Sequence, residues 1–266
     1  AFSGITNLLY RIVERLNPVK WNLVKLLKQM QKSFYKRIIK SEASLKHLDD
    51  LLENIYTQLK ENLESLLTTN KDWPENQKKD FIVGYGEKIS ALVYQQFLID
   101  HDLDAFYVPA EDLIKTNSYF QNAFPDMIST NKLIEKNLVP LLKNNSIVIT
   151  NGFIATDKSN NMTTLGRSGS DFSATIIGGC LEPDKIIIYT DVNGILTSDP
   201  RKIHTARTIN QLNYKQVSEL AYFGAKVIHP KTLIPVKEEN IPVYVRNTFD
   251  LENKGTLIQN NNKKSK

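Results

Sequence analysis

The chain of 266 residues is long enough for one large α/β domain, or two small ones, with a substantial core. With 41% hydrophobic and 24% charged residues it has a globular composition, and no apolar run approaches the roughly 18–20 residues that span a bilayer. The net charge of +5 is carried largely by lysines interleaved with apolar residues at helical spacing, which indicates a solvated helix surface. We therefore expect no nucleic-acid partner and no membrane. The single cysteine, Cys180, excludes an internal disulfide, and its apolar neighbours predict a core position.

The N-terminal part of the chain has the pattern of packed helices. Between residues 5 and 67 apolar side chains recur at steps of three and four, and Ser41 and Ser44 are candidate N-caps for the clearest stripe. That stripe consists of Leu48, Leu51, Leu52, Ile55, Leu59, Leu63 and Leu66. Because it does not keep a strict heptad, we predict a packed helical pair and not a coiled coil.

Beyond a polar turn at 70–76, helical and strand patterns alternate. The predicted helices cover 88–99, 128–143, 170–181, 214–223 and 232–239, with Asn213 and Gln216 as a possible capping box. The predicted strands cover 105–109, 147–150, 185–190 and 241–246, the second and third of them buried. Apolar strands separated by helices favour a mainly parallel sheet covered on both faces. Ligands of such sheets bind at the carboxyl ends of the strands, which draws attention to the loops after Thr150 and Thr190.

The strongest local signal is segment 163–172, Thr-Thr-Leu-Gly-Arg-Ser-Gly-Ser-Asp-Phe. A glycine-rich turn exposes backbone N–H groups, and the start of the following helix adds positive potential, so the pair suits an anion. Arg167 offers a planar fork for a carboxylate or phosphate. The segment is not a Walker A motif, because no Gly-Lys-Ser/Thr follows. On pattern alone, a capped turn with a surface arginine is an equally good interpretation.

A second signal is segment 190–201, Thr-Asp-Val-Asn-Gly-Ile-Leu-Thr-Ser-Asp-Pro-Arg, which leaves the end of a predicted buried strand. Asn193-Gly194 predicts a tight turn. Asp191 and Asp199 could act through magnesium, and Arg201 could face phosphates. Taken alone, a hairpin turn followed by Asp-Pro is the plainer interpretation.

Two weaker signals contain a charged residue beside glycine. In segment 223–230, Phe-Gly-Ala-Lys-Val-Ile-His-Pro, Lys226 is a candidate phosphate ligand, or an exposed lysine after a glycine C-cap. His229 in the same segment is predicted to be structural. In Gly84-Tyr-Gly-Glu-Lys88, Glu87 is predicted to lie in the first turn of a helix, where the helix dipole alone would explain it.

Taken together and in order, these segments resemble the motifs of the aspartate kinases. The likeness extends over almost the whole chain and rests on Ser3–Leu9, Gly86-Glu87, Thr164–Asp171, Thr190–Ile195, Asp199–Arg201, Phe223–Pro230, Asn247-Thr248 and Gly255–Ile258. The resemblance implies an α/β fold of the amino-acid kinase type, a three-layer αβα sandwich with a mostly parallel sheet. It also implies transfer of the ATP γ-phosphoryl group to the side-chain carboxylate of L-aspartate, the first step towards lysine, threonine and methionine.

The resemblance further implies roles for individual residues. The aspartate substrate is expected to meet Thr6, Glu87, Arg167, Ser170 and Asp171. ATP is expected to meet Thr190, Asp191, Leu196, Asp199, Arg201, Lys226 and Val227. Arg167, Asp171 and Lys226 are the predicted catalytic residues, and Mg²⁺ is implied with ATP although no residue is assigned to hold it. A homo-oligomer is expected, in the cytoplasm or in a plastid.

Two departures from the family pattern affect these expectations. The family's opening Lys-Phe-Gly-Gly-Thr motif does not occur, so we expect the first strand to be lacking and the chain as written to have little or no turnover. Leu196 stands where some members carry a tyrosine beside the nucleotide.

The predicted catalytic domain covers 1–258, with a helical insertion at about 20–70 and a nucleotide-binding part at about 184–258. A disordered tail is predicted at 259–266. The alternatives are another amino-acid kinase, such as a glutamate kinase, or a non-catalytic binding remnant of the fold.

Overall fold

The computed structural model describes residues 2, 4–14, 21–68, 73–144, 146–198, 202–222 and 228–260. The chain forms two compact units, Ala1–Gly166 and Arg167–Lys266. The helices are α1 (Ile5–Glu14), α2 (Trp21–Ile38), α3 (Glu42–Thr68), α4 (Glu75–Ile99), α5 (Met127–Asn137), α6 (Val139–Leu142), α7 (Gly169–Leu181), α8 (Tyr214–Tyr222) and α9 (Ile234–Lys237). The strands are β1 (Ala105–Tyr107), β2 (Ile147–Ile149), β3 (Ile154–Thr156), β4 (Met162–Thr164), β5 (Ile186–Thr190), β6 (Gln211–Leu212), β7 (Val243–Asn247) and β8 (Thr256–Ile258). None of the described helices has the length and apolar character needed to cross a membrane.

Helices α1 to α4 share the main core of the first unit, and the apolar stripes at residues 5–67 predicted this for the helices of that range. The stripe of α3 supplies Leu48, Leu52, Leu59 and Leu63, each at most 2% exposed. Ser41 is the residue that caps α3, because its hydroxyl accepts a hydrogen bond from the Ser44 N–H at 3.4 Å. The predicted helical packing is therefore confirmed for the described part of residues 5–67, but this part contains three helices and not the predicted pair.

Helix α4 is longer than the sequence pattern predicts. It begins at Glu75 and not at residue 88, so Gly84 and Glu87 lie in its interior, and the prediction that Glu87 occupies a first turn was wrong. Glycine at position 84 has a packing reason, because a Cβ there would lie 2.5 Å from the Met162 Sδ and 3.1 Å from the Ile154 Cγ2. The helix can approach the two strands that carry these residues only because that side chain is missing.

The strands of the first unit form two separate pairs in the described part of the chain. Strands β1 and β2 lie within two predicted strands and are parallel, with Ala105 opposite Ile147. Only Ile149 of β2 is buried, so the prediction of a fully buried strand was wrong. Strands β3 and β4 form an antiparallel hairpin that was not predicted, with Ile154 opposite Thr164. At its turn the buried Asp157 accepts hydrogen bonds from the Ser159 and Asn161 N–H groups, each at 2.9 Å.

The second unit is built on a four-stranded sheet in the order β5-β7-β8-β6. The pairs β5–β7 and β6–β8 are parallel and β7–β8 is antiparallel. Strands β5 and β7 match two predicted strands, whereas β6 and β8 were not predicted. Strand β5 is not the fully buried strand that was predicted, because Tyr189 is exposed. The predicted helix at 232–239 is a 3₁₀ turn, Pro230–Leu233, followed by the short α9. Cys180 is half-buried, so it is not the core residue that was predicted.

The predicted domain boundaries stay a prediction. The described chain remains hydrogen-bonded just beyond residue 258, where the Gln259 N–H donates to the Leu212 carbonyl at 3.0 Å. The Asn260 N–H donates to the Asn240 side chain at 2.9 Å. Residues 261–266, most of the predicted tail, lie outside the described residues.

The predicted capping box of α8 is present and gives a test of the fold. The Asn213 side chain accepts from the Gln216 N–H, and the Gln216 side chain accepts from the Asn213 N–H, both at 2.8 Å. Asn213→Ala should lower the free energy of unfolding by about 1 kcal/mol in urea denaturation, because a helix N–H loses its acceptor. Asn213→Asp keeps an acceptor and should remain within about 0.5 kcal/mol of the wild type; equal losses in both variants would show that the cap is not the cause.

Candidate active site

A tight turn leads from β4 into helix α7, whose N-terminus is a candidate anion-binding site. Gly166 has φ +73°, and a Cβ on it would lie 2.7 Å from the Gln121 carbonyl oxygen, so the turn requires glycine. Ser168, at the N-cap, is left-handed with φ 56° and makes no side-chain cap hydrogen bond. Ser168 therefore does not occupy the first N–H groups of α7, and a helix N-terminus with its dipole favours a bound anion.

Three predicted site residues cluster at this helix start. Arg167 and Ser170 are exposed, and Asp171 is half-buried in the first turn. Burial raises the pKa of the Asp171 carboxyl above its ordinary value. A guanidinium, a hydroxyl and a destabilised carboxylate thus occur within five consecutive residues, a set that can hold a small charged molecule.

Further positive charge close to α7 was missed by the sequence analysis. The Lys231 Nζ lies 5.5 Å from the ring centroid of Phe172, a residue of the first turn of α7. Burial, Lys231 and Arg167 lower the pKa of His229, which favours its neutral form. The His229 Nδ1 accepts a hydrogen bond from the Lys231 N–H at 3.3 Å, in agreement with the structural role predicted for this histidine. No local pattern marked Lys231, because the chain brings it to α7 from a distant turn.

The carboxyl end of β5 holds the described part of the predicted nucleotide site. Thr190 is half-buried and its hydroxyl donates to the exposed Asp191 carboxylate at 3.2 Å. The Thr190 carbonyl accepts from the Thr248 N–H at 2.8 Å, which ties β5 to the residue that follows β7. Since β5 and β7 are parallel, their carboxyl ends lie side by side, where ligands of α/β sheets bind.

The loop after β5 is held by side-chain hydrogen bonds. Asn193 accepts a hydrogen bond at 2.6 Å from Asn247, the last residue of β7. Gly194 supplies the predicted turn, with its N–H donating to the Val192 carbonyl at 2.8 Å. Leu196 is half-buried and forms an isolated bridge with Thr208. The sequence marked Asn247 and Thr248 only as part of a family motif. In the structure they are hydrogen-bonded to Asn193 and Thr190 at the carboxyl end of β5.

The other predicted residues fall in two groups. Thr6, on α1, and Glu87, inside α4, are both half-buried members of the first unit. Asp199, Arg201, Lys226 and Val227 lie outside the residues that the structure describes, so their predicted roles stay predictions.

A cavity of about 370 Å³ in the first unit is a separate feature. It is lined by Trp73, Phe81 and Lys88 among others, and by none of the predicted site residues. The Lys88 Nζ is 2.6 Å from the Glu111 carboxylate, so these two charges offset each other. We therefore do not identify this cavity with the predicted active site.

Mg²⁺ is implied by the predicted reaction with ATP. Within the described ranges, no group of three or more His, Cys, Asp or Glu side chains is arranged to hold a metal ion. This is compatible with magnesium chemistry at nucleotides, where one or two carboxylates and the phosphates usually share the ion. The exposed Asp191 is one carboxylate that fits such a role.

Comparison with known proteins shows which family the chain belongs to. The chain matches the amino acid kinase family over residues 22–247. It is 35% identical over 261 residues to the lysine-sensitive aspartokinase 3 of Escherichia coli, which covers 98% of this chain and 56% of that protein. It is 31% identical to the chloroplastic bifunctional aspartokinase/homoserine dehydrogenase 1 of Zea mays, covering 97% of this chain and 28% of the relative.

Solved structures agree with the sequence comparison. The structure of E. coli aspartokinase III in complex with aspartate and ADP matches with a TM-score of 0.87 and 31% identity, over 98% of this chain and 57% of that one. The aspartate kinase of Clostridium acetobutylicum matches with a TM-score of 0.75 and 25% identity, over 97% of this chain and 52% of that one.

The chain therefore belongs to the amino acid kinase family, and the predicted α/β amino-acid kinase fold is confirmed. Within that family its relatives are aspartokinases, which confirms the resemblance that the motifs indicated. The chain spans only about half the length of the E. coli relative, or less in the case of the bifunctional proteins. Relatives include bacterial and chloroplastic proteins, so the compartment stays a prediction.

The opposite environments of two carboxylates give a test of the site electrostatics. Asp171→Asn should raise the midpoint of thermal unfolding at pH 7, by about 2–4 °C for each 1 kcal/mol, because burial disfavours the charge of Asp171 in the folded state. The stability advantage of Asp171→Asn over the wild type should shrink in acid. The wild-type carboxyl, with its raised pKa in the folded state, is protonated there, and its cost to folding appears only as pH rises through that pKa.

Asp157→Asn is the matched control for this measurement. Burial opposes ionisation of Asp157, but hydrogen bonds from Asn161, Ser118 and Ser159 outweigh it and lower its pKa. This variant should therefore lose stability at pH 7, and the loss should fade as pH falls through that lowered pKa. Scanning fluorimetry across this pH range checks both signs; a midpoint of Asp171→Asn below the wild type at pH 7 would contradict the assignment.

Proposed function

We propose that this chain is the catalytic part of an aspartate kinase, which transfers the γ-phosphoryl group of ATP to the side-chain carboxylate of L-aspartate and forms 4-phospho-aspartate. The observation that carries the proposal is the start of α7, where a helix N-terminus, Arg167, Ser170 and Asp171 occur together. The similar E. coli aspartokinase III was solved with aspartate and ADP, which supports both substrates.

The proposed roles follow the charge of each part of the substrate. Arg167 would bind the α-carboxylate through its planar fork, and Glu87 would pair with the α-amino group. Thr6, Ser170 and Asp171 would complete the aspartate site. This arrangement leaves the side-chain carboxylate of the substrate as the group that attacks the γ-phosphorus.

The nucleotide would lie at the carboxyl end of β5, with Thr190, Asp191 and Leu196 beside it. Asp199, Arg201, Lys226 and Val227 are proposed to join them, with Lys226 on the phosphates. Phosphoryl transfer depends on positioning and on neutralising charge more than on covalent catalysis, so cationic side chains and helix N–H groups are the groups it needs. Mg²⁺ bound with ATP would supply further neutralisation of the phosphate oxygens.

Arg167→Ala tests the proposed carboxylate contact. In a hydroxamate assay with ATP and Mg²⁺ on the full-length protein, the KM for L-aspartate should rise about 100-fold, because a charge-assisted contact to the substrate is lost. The KM for ATP should stay within about twofold of the wild type. Arg167→Lys keeps the charge without the fork and should fall between the two.

The control is Arg37→Ala, which removes an exposed arginine of α2 to which no role is assigned. It should leave both KM values unchanged. An unchanged aspartate KM in Arg167→Ala would refute the proposed contact. Product formation with L-glutamate in place of L-aspartate would instead identify another amino-acid kinase, and nucleotide binding without turnover would identify a binding protein.

A further inference from the structure

A buried carboxylate outside the predicted site connects several segments of the first unit. Asp80, near the start of α4, is fully buried. It accepts hydrogen bonds from the Thr164 N–H at 2.8 Å and the Thr164 hydroxyl at 2.7 Å. It also accepts from the Gln121 N–H at 2.9 Å and from the Gln121 side-chain amide. One side chain thus fixes two stretches of backbone that are distant in sequence from α4 and from each other.

Helix α1 joins the same network through Gln121. The Tyr10 hydroxyl donates to the Gln121 side-chain oxygen at 3.1 Å. Burial, together with the charge of Asp80, raises the pKa of Tyr10 and keeps its hydroxyl a donor. Gln121 consequently donates to Asp80 with its amide nitrogen and accepts from Tyr10 with its amide oxygen. The three side chains can adopt this pattern only if Asp80 supplies acceptors.

Three of the four segments in the network, those of Tyr10, Asp80 and Thr164, lead to a predicted aspartate ligand a short distance along the chain. Tyr10 follows Thr6 by four residues, which places both on one face of α1. Asp80 precedes Glu87 by seven residues, two helical turns along the same face of α4. Thr164, the last residue of β4, is followed after two residues by Arg167.

The last of these connections is also sterically constrained. Leu165 and Gly166 lie between Thr164 and Arg167. The α-carbon of Gly166 packs so closely against the Gln121 carbonyl that a Cβ would lie 2.7 Å from that oxygen. The backbone of Gln121 therefore makes two contacts. Its N–H donates to the Asp80 carboxylate, and its carbonyl oxygen packs against Gly166. The Asp80 network thus fixes the last turn of the first unit, which ends at Gly166.

We propose that Asp80 is a positioning residue for aspartate binding, which holds the segments carrying Thr6 and Glu87, and the turn of the first unit that precedes Arg167, without touching the substrate. The proposal rests on the proposed function, because it takes these three residues as ligands of aspartate. Binding of a small zwitterion by several charged groups requires their placement within fractions of an ångström, and a displacement of about 1 Å can cost 100-fold. A carboxylate is suited to the task because it presents acceptors only, whereas an amide at position 80 would direct its own N–H groups at the donors of Thr164 or Gln121.

Asp80→Asn and Thr164→Val test the proposal by calorimetry. The dissociation constants of L-aspartate, with ADP and Mg²⁺ present, and of ADP alone are measured on the whole chain. Asp80→Asn should weaken aspartate binding about tenfold or more while ADP affinity stays within about twofold. Thr164→Val removes one of the four hydrogen bonds to Asp80 and keeps the backbone donor, so it should shift aspartate binding in the same direction by a smaller factor.

Asp157→Asn is the matched control, because Asp157 is also buried and also accepts several hydrogen bonds, but at the β3–β4 turn. It should lower the unfolding midpoint and leave aspartate affinity unchanged, whereas a merely structural role of Asp80 would give the same outcome for Asp80→Asn. If Asp80→Asn does not fold, Thr164→Val alone decides. Wild-type aspartate affinity in a folded Asp80→Asn or in Thr164→Val, or an equal loss of ADP affinity, would overturn the proposal.

The Arg167→Ala variant separates this inference from the proposed function. If it binds aspartate as the wild type does, or if the wild type shows no aspartate binding, the proposed function fails and the positioning role fails with it. If Arg167→Ala loses aspartate binding while the Asp80 and Thr164 variants keep it, the proposed function stands and only the positioning role is rejected.

Discussion

The burial of helix α4 on several sides is the constraint on which the first unit depends. The helix contacts α1, α3 and all four strands of the unit, and Ile82, Val83, Ile89 and Val93 are nearly inaccessible to solvent. A helix satisfies its interior backbone hydrogen bonds within itself, so it can be surrounded by other elements without leaving polar groups unpaired. The close approach at Gly84 then couples its position to the β3–β4 hairpin. Any displacement of α4 would move Asp80 and Glu87 together.

The same burial explains which elements the sequence could predict. Helix α3 has one face in the core and one in water, so its leucine stripe was visible, and α8 was marked by the Asn213–Gln216 capping box. The first half of α4 has buried residues on several faces and contains glycine, so its sequence lacked helical periodicity. Strands of two or three residues, such as β3 and β6, take their stability from pairing with distant segments and left no local pattern.

A similar distinction applies to the candidate site. The start of α7 and the end of β5 were predictable, because glycine turns, helix starts and strand ends have local sequence patterns. Asp80 was not, because its role arises from hydrogen bonds to Thr164, a residue 84 positions away. Lys231 was missed for the same reason, since it acquires meaning only through its position over the Phe172 ring. Local sequence indicates where a ligand can bind, whereas the groups that hold such a site in place are determined by tertiary contacts.

The buried carboxylates of the chain differ in what they do for stability. At Asp157 hydrogen bonds outweigh burial and the pKa is lowered, so the charge favours the folded state. At Asp80 burial dominates and the pKa is raised, even though Gln121 and Thr164 donate four hydrogen bonds to it. Burial also raises the pKa of the half-buried Asp171 at the start of α7. A neutral or apolar side chain often stabilises such a position better than a buried charge does.

The two destabilised carboxylates are therefore poorly explained by folding alone. Buried polar groups that cost stability are expected where their geometry serves a function. Asp171 lies in the proposed aspartate site, and Asp80 accepts the hydrogen bonds of Thr164 at the end of β4. Asp157, to which no role in the proposed site is assigned, is the one whose environment favours its charge. This contrast agrees with the positioning role that the hydrogen bonds of Asp80 to Thr164 and Gln121 indicate.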